Sequence, residues 1–283
     1  MQFSIITPSF RNSRWLQLCI SSVADQDVEL EHLVQDACSD DGTLDWLPKD
    51  PRVMAFIEKD RGMYDAVNRG LRRSKGEILA YINCDEQYLP GALRSVMQFF
   101  DSAPEVDVVF ADTVVINTTG EYICHRKALL PGKQHTRLGV SLTIFTCATF
   151  FRRKVIDEHG LFFDPKLRDL GDVDWVMRLI NRGIRMATLR VFTSAFTKTG
   201  SNMNLLPNAH RERAEMFASA PLWTRKMNRL IEMHMRVRRL LTGGYFQSPF
   251  EYSVYTEQSA HKRFRVQVTR PTSKWPAEVS ART

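Results

Sequence analysis

The sequence predicts an α/β fold built on a mostly parallel sheet flanked by helices, followed by a basic, largely helical C-terminal extension. Three observations carry this expectation. Short apolar runs rich in β-branched residues alternate with segments of helical periodicity over about the first 200 residues. Those runs are nearly continuous in apolar residues, as strands covered on both faces must be. Beyond that point the alternation stops, helical spacing takes over and the charge turns basic.

Residues 2–8 (QFSIITP) read as a buried strand, and 13–26 as a helix with Trp15, Leu16, Cys19, Ile20 and Val23 at helical spacing and Ser13 as its cap. Residues 30–35 (LEHLVQ) form a second strand, which runs into the polar loop 36–43 (DACSDDGT) and a short helix over 44–47. A third strand covers 53–58, a helix spans 64–73 up to Lys75-Gly76, and 77–83 (EILAYIN) is the most apolar strand. Pro90-Gly91 opens a helix through Phe100, as a proline near a helix start should, and 106–111 (VDVVFA) is a fifth strand. A hairpin over 113–127 turns at Thr119-Gly120, an apolar strand covers 143–152, and a helix over 172–182 stops at Gly183. A strand over 186–193 closes the core; 201–241 is mostly helical, and 242–283 is irregular with short β-like pieces such as 265–268 (RVQV).

Composition narrows the function classes. A chain of 283 residues with 43% hydrophobic and 25% charged residues is neither disordered nor fibrous, and it can bury a core without staples. Its apolar runs fall far short of the roughly 20 residues of a membrane span, and the start lacks a basic region and a cleavage site. The five cysteines are odd in number, widely spaced and free of any CxxC, which fits buried thiols in a reducing cytoplasm. The histidines show no ligand spacing. Residues 210–283 hold 14 Lys/Arg against 6 Asp/Glu, whereas 1–209 hold 25 against 26, so the net charge of +7 belongs to the last quarter. That surplus points to an acidic partner: an anionic membrane, a nucleic acid or a phosphorylated substrate.

Ligands of open α/β sheets bind at the carboxyl ends of strands, and the polar clusters fall there. Asp36, Ser39, Asp40 and Asp41 follow the second strand; a carboxylate there can bond a base or ribose. Asn83, Asp85 and Glu86 follow the fourth strand with hard oxygens suited to Mg²⁺ or Mn²⁺. Asp60, Tyr64, Asp65 and Asn68 bracket a helix entrance, where backbone N–H groups suit a phosphate. Asp172 and Asp174 sit at another helix start, as a cap or as a general base. Each cluster alone is also an ordinary turn or cap.

Their order is distinctive. SIITPSFRNSRWLQLCISSVADQ (4–26), DACSDDGT (36–43), EKDRGMYDAVNRGLRRSKGEILAYINCDE (58–86), YLPGAL (88–93), ATFFRR (148–153) and GDVDWVMRL (171–179) together resemble family 2 glycosyltransferases of the GT-A fold, over roughly residues 1–195. The resemblance implies an inverting transfer from a nucleoside-diphosphate sugar, commonly a UDP-sugar, to a saccharide or lipid-linked saccharide in polysaccharide biosynthesis. It places Thr7 and Pro8 at the nucleotide end of the first strand and Asp36 beside the uracil or ribose. Asp60, Asp65 and Asn68 would line the donor pocket, Asp85 would hold Mn²⁺ or Mg²⁺ as the last residue of the DXD motif, and Asp172 would be the base of the ED motif. Two positions depart from the pattern: Asn83 opens the DXD motif, and Gly171 replaces the glutamate of the ED motif. Those departures keep open a catalytically inactive nucleotide-sugar- or carbohydrate-binding relative. A sugar nucleotidyltransferase is the other alternative, although 7–14 (TPSFRNSR) lacks the glycine-rich loop it needs.

The implied organisation is a catalytic domain over 1–200, with a nucleotide-sugar half to about 112 and an acceptor half over 113–200, then the extension over 201–283. Within 221–241, Trp223, Met227, Leu230, Val237 and Leu241 share helical spacing, while Arg225, Arg229, Arg236 and Arg239 mark a second face. Such a helix can lie on an anionic membrane surface. The expected location is therefore cytoplasmic, with peripheral attachment to the inner face of the cell membrane. No nucleic-acid partner is expected, because the chemical clusters are acidic.

Overall fold

A computed structural model describes residues 2–138, 143–200 and 207–275. The first half alternates as expected: β1 (Phe3–Ser9), α1 (Ser13–Ala24), β2 (Leu30–Asp36), α2 (Thr43–Trp46), β3 (Met54–Ile57), α3 (Met63–Arg73), β4 (Ile78–Tyr81), β5 (Glu86–Tyr88) and α4 (Ala92–Ser102). Then come β6 (Val108–Ile116), β7 (Tyr122–Arg126), α5 (Lys133–Arg137), β8 (Thr149–Arg152), α6 (Lys154–Asp157), α7 (Gly171–Asn181) and β9 (Met186–Thr197). The last quarter contains α8 (Pro207–Ser219), α9 (Leu222–Lys226), α10 (Asn228–Leu241), β10 (Phe250–Thr256) and β11 (Ser259–Val268).

Nine strands form one mixed sheet in the order β3-β2-β1-β4-β8-β6-β9-β5, with β7 paired to the outer half of β6. The parallel character resides in β3-β2-β1-β4 and in the β6–β9 pair. The other pairings, of β8 with β4 and β6, β5 with β9, and β7 with β6, are antiparallel. Alternation along each strand feeds two core layers. Phe3 and Ile5 of β1 face α1 and α4 through Cys19, Val23, Leu93 and Phe100. Ile6 faces the other way, toward Tyr64 and Val67 of α3 and Trp175 and Val176 of α7.

Three segments differ from the sequence-based expectation. The run over 143–152 contributes only its last four residues as β8. Ahead of it the Thr149 hydroxyl donates to the Phe145 carbonyl, a local bond across the tight turn Thr146–Ala148, while the Thr143 hydroxyl ties the segment to the carbonyl of Leu129. The three-residue β5 is too short to show periodicity. The stretch expected to be irregular contains an antiparallel hairpin, β10–β11, whose Tyr252, Val254 and Val268 pack against Leu89, Val114, Ile116 and Ala195. Ser13 is not a cap. Its backbone N–H donates to Asp41 Oδ2 (3.0 Å), and its hydroxyl accepts from the Trp46 indole (2.9 Å), so the loop after β2 caps α1 from outside. The expected helical segment over 201–206 and the tail over 276–283 lie outside the described residues.

Candidate functional site

Strands β1, β2, β3 and β4 run in one direction and bring Ser9, Asp36, Asp60 and the 83–86 loop to one rim of the sheet. The loops after β1 and β2 are interlocked. Asp36 is fully buried and accepts the N–H (2.7 Å) and hydroxyl (2.8 Å) of Ser39, while Ser39 Oγ accepts the Arg11 N–H (2.8 Å). Arg11 and Cys38 carry the positive φ angles, 52° and 62°, that this junction requires. In this conformation Asp36 therefore shapes the loop.

Several residues expected to meet the donor directly turn out to support the rim. Thr7 is buried with its hydroxyl 2.9 Å from His32 Nε2, and Pro8 is buried within β1, so neither side chain presents a polar group to a ligand. Burial lowers His32 to about 3, which keeps it neutral. Asn68 donates to the carbonyl of Phe163 (2.8 Å) and accepts from its N–H (2.9 Å), which staples α3 to the segment entering α7 and commits the buried amide to a structural role. Asp65 is gripped by Arg61 (3.2 Å) and Arg69 (2.9 Å). Burial opposes ionisation there, but the hydrogen bonds and charge of Arg61, with Arg69, hold its carboxyl below the usual range.

The carboxylates that stay open are Asp60, Asp85 and Asp172. Among the described residues Asp60 accepts only the Gly62 N–H (2.9 Å), and burial together with the charges of Asp65 and Asp36 raises it. At the end of β4 the Asn83 N–H donates to Glu86 Oε2 (2.8 Å) and the Glu86 N–H returns to the Asn83 carbonyl (3.1 Å), a closed turn that fixes Asp85 between them. Burial raises Asp85, and burial with the charge of Asp85 pushes the fully buried Glu86 well up. Neither makes an ion pair among the described residues. Asp85 is thus a half-buried anion without a counter-ion, which favours a cation beside it. No three His, Cys, Asp or Glu side chains gather among the described residues into a preformed metal cage. The Asp85 carboxylate, beside an Asn83 side chain that also bonds Glu86, does fit an Mg²⁺- or Mn²⁺-type shell that diphosphate oxygens complete.

Asp172 stands at the start of α7 and lines a narrow cavity with Tyr81, Thr146, Phe163 and Trp175. Burial pushes it up to about 6, against hydrogen bonds from the Val173 N–H and the Tyr64 hydroxyl. Its own N–H donates to Tyr64 Oη (3.1 Å). Asp174, the other candidate at this helix start, is held by Arg178 (2.7 Å). Tyr81 ends β4 four residues before Asp85 and lines the cavity of Asp172; its hydroxyl is raised by burial, then by the charge of Asp172 and, more weakly, of Glu86.

Two supports of Asp172 escape the sequence reading. A Cβ on Gly171 would lie 2.6 Å from the Tyr64 ring, so glycine in place of the motif glutamate lets that ring pack directly on the helix start. From α8, the buried Glu212 accepts the N–H groups of Arg168 (2.9 Å), Asp169 (3.2 Å) and Leu170 (2.9 Å). It acts as a cap supplied from a distant helix, where an anion suits the positive end of α7. The extension therefore helps build the site.

Against this geometry, residues 4–160 match the family model described as Glycosyl transferase family 2. The chain is 26% identical to a PGL/p-HBAD biosynthesis glycosyltransferase of Mycobacterium tuberculosis (strain ATCC 25177 / H37Ra), over 83% of this chain and 90% of that protein. It is 23% identical to the poly(ribitol-phosphate) beta-N-acetylglucosaminyltransferase TarS of Staphylococcus aureus (strain Mu50 / ATCC 700699), over 72% of this chain and 37% of the relative. The crystal structure of S. aureus TarS 1-349 with UDP-GlcNAc superposes with a TM-score of 0.60 at 19% identity, covering 78% of this chain and 68% of that one. The mannosyltransferase PcManGT from Pyrobaculum calidifontis, in complex with GDP-Man and Mn²⁺, gives 0.52 at 15% identity, covering 85% and 83%. These structural likenesses establish the shared GT-A fold.

The two supports act on Asp172 with opposite sign. The Tyr64 hydroxyl lowers its pKa and the Glu212 charge raises it. The acid limb of a rate–pH profile, expected near pH 6, should move up in Tyr64→Phe and down in Glu212→Gln.

Proposed function

Since the chain belongs to glycosyl transferase family 2, we propose that it transfers a sugar, with inversion, from a nucleoside-diphosphate sugar to a saccharide or lipid-linked saccharide in surface polysaccharide biosynthesis. The observation that carries this reading is Asp172: a burial-raised carboxylate held at a helix start and facing a cavity that reaches Tyr81 on the Asp85 strand. A base with a pKa near 6 is ionised at neutral pH yet basic enough to receive a proton as a hydroxyl attacks. The acceptor oxygen bonds to the anomeric carbon, the anomeric C–O bond to the diphosphate breaks, and Asp172 keeps the proton. A divalent ion, Mn²⁺ or Mg²⁺, held by Asp85 beside Asn83 would offset the charge growing on the diphosphate. Asp60 borders the donor at the next loop, and Asp36, through Ser39, shapes the nucleotide end of the rim.

The TarS and PcManGT complexes, with UDP-GlcNAc in one and GDP-Man and Mn²⁺ in the other, support a nucleotide-sugar donor; a UDP-sugar is the reading we prefer. The open Asp172 and Asp85 favour an active enzyme over an inactive binding relative.

Peripheral membrane attachment, on the cytoplasmic face, is part of the proposal. On α10, Met235 is buried and Arg238 donates to the Leu130 carbonyl (3.2 Å), so one side of the helix packs on the protein. Leu222, Trp223, Met227, Leu230, Met233, Val237, Leu240 and Leu241 remain exposed across α9 and α10, among Arg225, Lys226, Arg229 and Arg236. An exposed apolar stripe flanked by cations suits an anionic bilayer surface. No helix among the described residues is long and apolar enough to cross a membrane.

Asp172→Asn should cut kcat by roughly 10²–10⁴-fold, as loss of a general base does, while the thermal shift produced by UDP-sugar with Mn²⁺ persists. Asp85→Ala should abolish the Mn²⁺-dependent part of that shift. Full activity in Asp172→Asn would remove its assignment.

In flotation with phosphatidylglycerol vesicles the wild-type chain should rise with the lipid and a Leu230→Glu/Leu240→Glu variant should stay below. Equal sedimentation of both would end the membrane reading. Point substitutions suit this test better than removal of the extension, because Glu212 anchors α7.

A further inference from the structure

We infer that Arg126, Arg239 and Lys198 form a binding site for an anionic group, a phosphate or carboxylate, carried by the saccharide acceptor. The inference rests on the transferase reading and names a chemical class for its acceptor. The three cations come from different elements, the end of β7, α10 and the residue after β9, and their charges converge around Cys124 of β7. Arg126 lies over the Trp275 ring at 5.1 Å from its centre, and Lys198 lies over the same ring at 5.9 Å. The Arg239 guanidinium lies over Tyr245 at 5.0 Å. A Cβ on Gly244 would come within 2.6 Å of the Arg239 side chain, so the arginine stem lies flat against that glycine. Trp275 is fixed in turn. The Thr272 carbonyl, three residues earlier, accepts from the His125 N–H (2.9 Å) and the Tyr122 hydroxyl (2.9 Å), which ties the segment before Trp275 to β7.

This preorganised surface lacks counter-charge. None of the three cations has a carboxylate partner or a side-chain hydrogen bond among the described residues, and Arg239 Nε is buried without an acceptor. Burial, and then the neighbouring Arg239, depress the Arg126 guanidinium; burial depresses Arg239 as well. Aromatic stacking satisfies a guanidinium face but leaves its in-plane N–H donors, and those donors match phosphate and carboxylate oxygens in pairs. Two half-buried guanidinium groups near each other without an anion are costly to hold, and a bound anion removes that cost.

The position suits an acceptor. Trp275 stacks on Phe145 (6.5 Å between ring centres), and the next residue, Thr146, lines the cavity of Asp172. An anionic group on this surface would sit one aromatic pair away from the residues that line the cavity of the base. The acceptor would then carry its acid a short distance from the hydroxyl that is glycosylated.

Tryptophan emission of the full chain, titrated with inorganic phosphate, with D-galacturonate and with phosphatidylglycerol vesicles, tests the inference. A soluble anion should change the emission, the change should vanish in Trp275→Phe, and half-saturation should rise at least about tenfold in Arg126→Gln and in Arg239→Gln. The stronger of phosphate and galacturonate identifies the acid. Arg126→Lys, which keeps charge but loses the fork, should fall between. UDP with Mn²⁺ should bind these variants as it binds the wild type, which verifies their fold. Soluble-anion responses that ignore Arg126 and Arg239, or a response confined to vesicles, would overturn the inference. Failure of UDP to bind even the wild-type chain would instead count against the donor reading and leave the anion result standing.

Discussion

The entrance to α7 is the constraint on which the site depends. A helix start exposes backbone N–H groups that need acceptors, and a carboxylate placed there would ordinarily turn back to serve them. Here the demand is met from outside. Glu212 takes three N–H groups ahead of the helix, and Tyr64 takes the N–H of Asp172 itself. The Asp172 carboxylate accepts from Val173 and from the Tyr64 hydroxyl, and the residue lines the cavity. The arrangement needs a bare Cα at Gly171, because any side chain there would occupy the place of the Tyr64 ring.

The same economy separates working from supporting carboxylates around the rim. Asp65, Asp174 and Glu212 are matched by arginines or by N–H groups. Asp60, Asp85 and Asp172 are partly buried, raised and lack ion-pair partners among the described residues. Raised acids in a cleft mark functional positions more often than structural ones. The basic surface around Arg126, which we propose receives an acid of the acceptor, repeats the logic with opposite sign. An enzyme that joins a diphosphate donor to an acidic acceptor would need both imbalances, and each is relieved only by its ligand.

Much of this was legible in the residues. The apolar runs located β1, β2, β4 and β6, because strands buried on both faces leave an unbroken apolar signature. The acidic clusters were found because they terminate those runs. Spacing reveals only the partners one helical turn away. Arg69 stands at i+4 from Asp65 on the expected helix, whereas only the fold brings Tyr64 to Asp172. Asn68 belongs to a matching motif, yet its bonds run to the backbone of Phe163, 95 residues away. The hairpin β10–β11 was missed because alternating Tyr252 and Val254 look weak until Leu89 and Val114 give them a surface. Glu212 lies where the family pattern fades, so only the structure links it to Asp172.

The central claim is that Asp85 and Asp172 flank one activated sugar. A structure of the chain bound to an unreactive UDP-sugar analogue and Mn²⁺ tests it directly. The account predicts the ion bonded to the Asp85 carboxylate, the diphosphate on that ion, and the anomeric carbon facing the cavity of Asp172. A nucleotide bound with its sugar directed away from Asp172, or a metal held without Asp85, would contradict it.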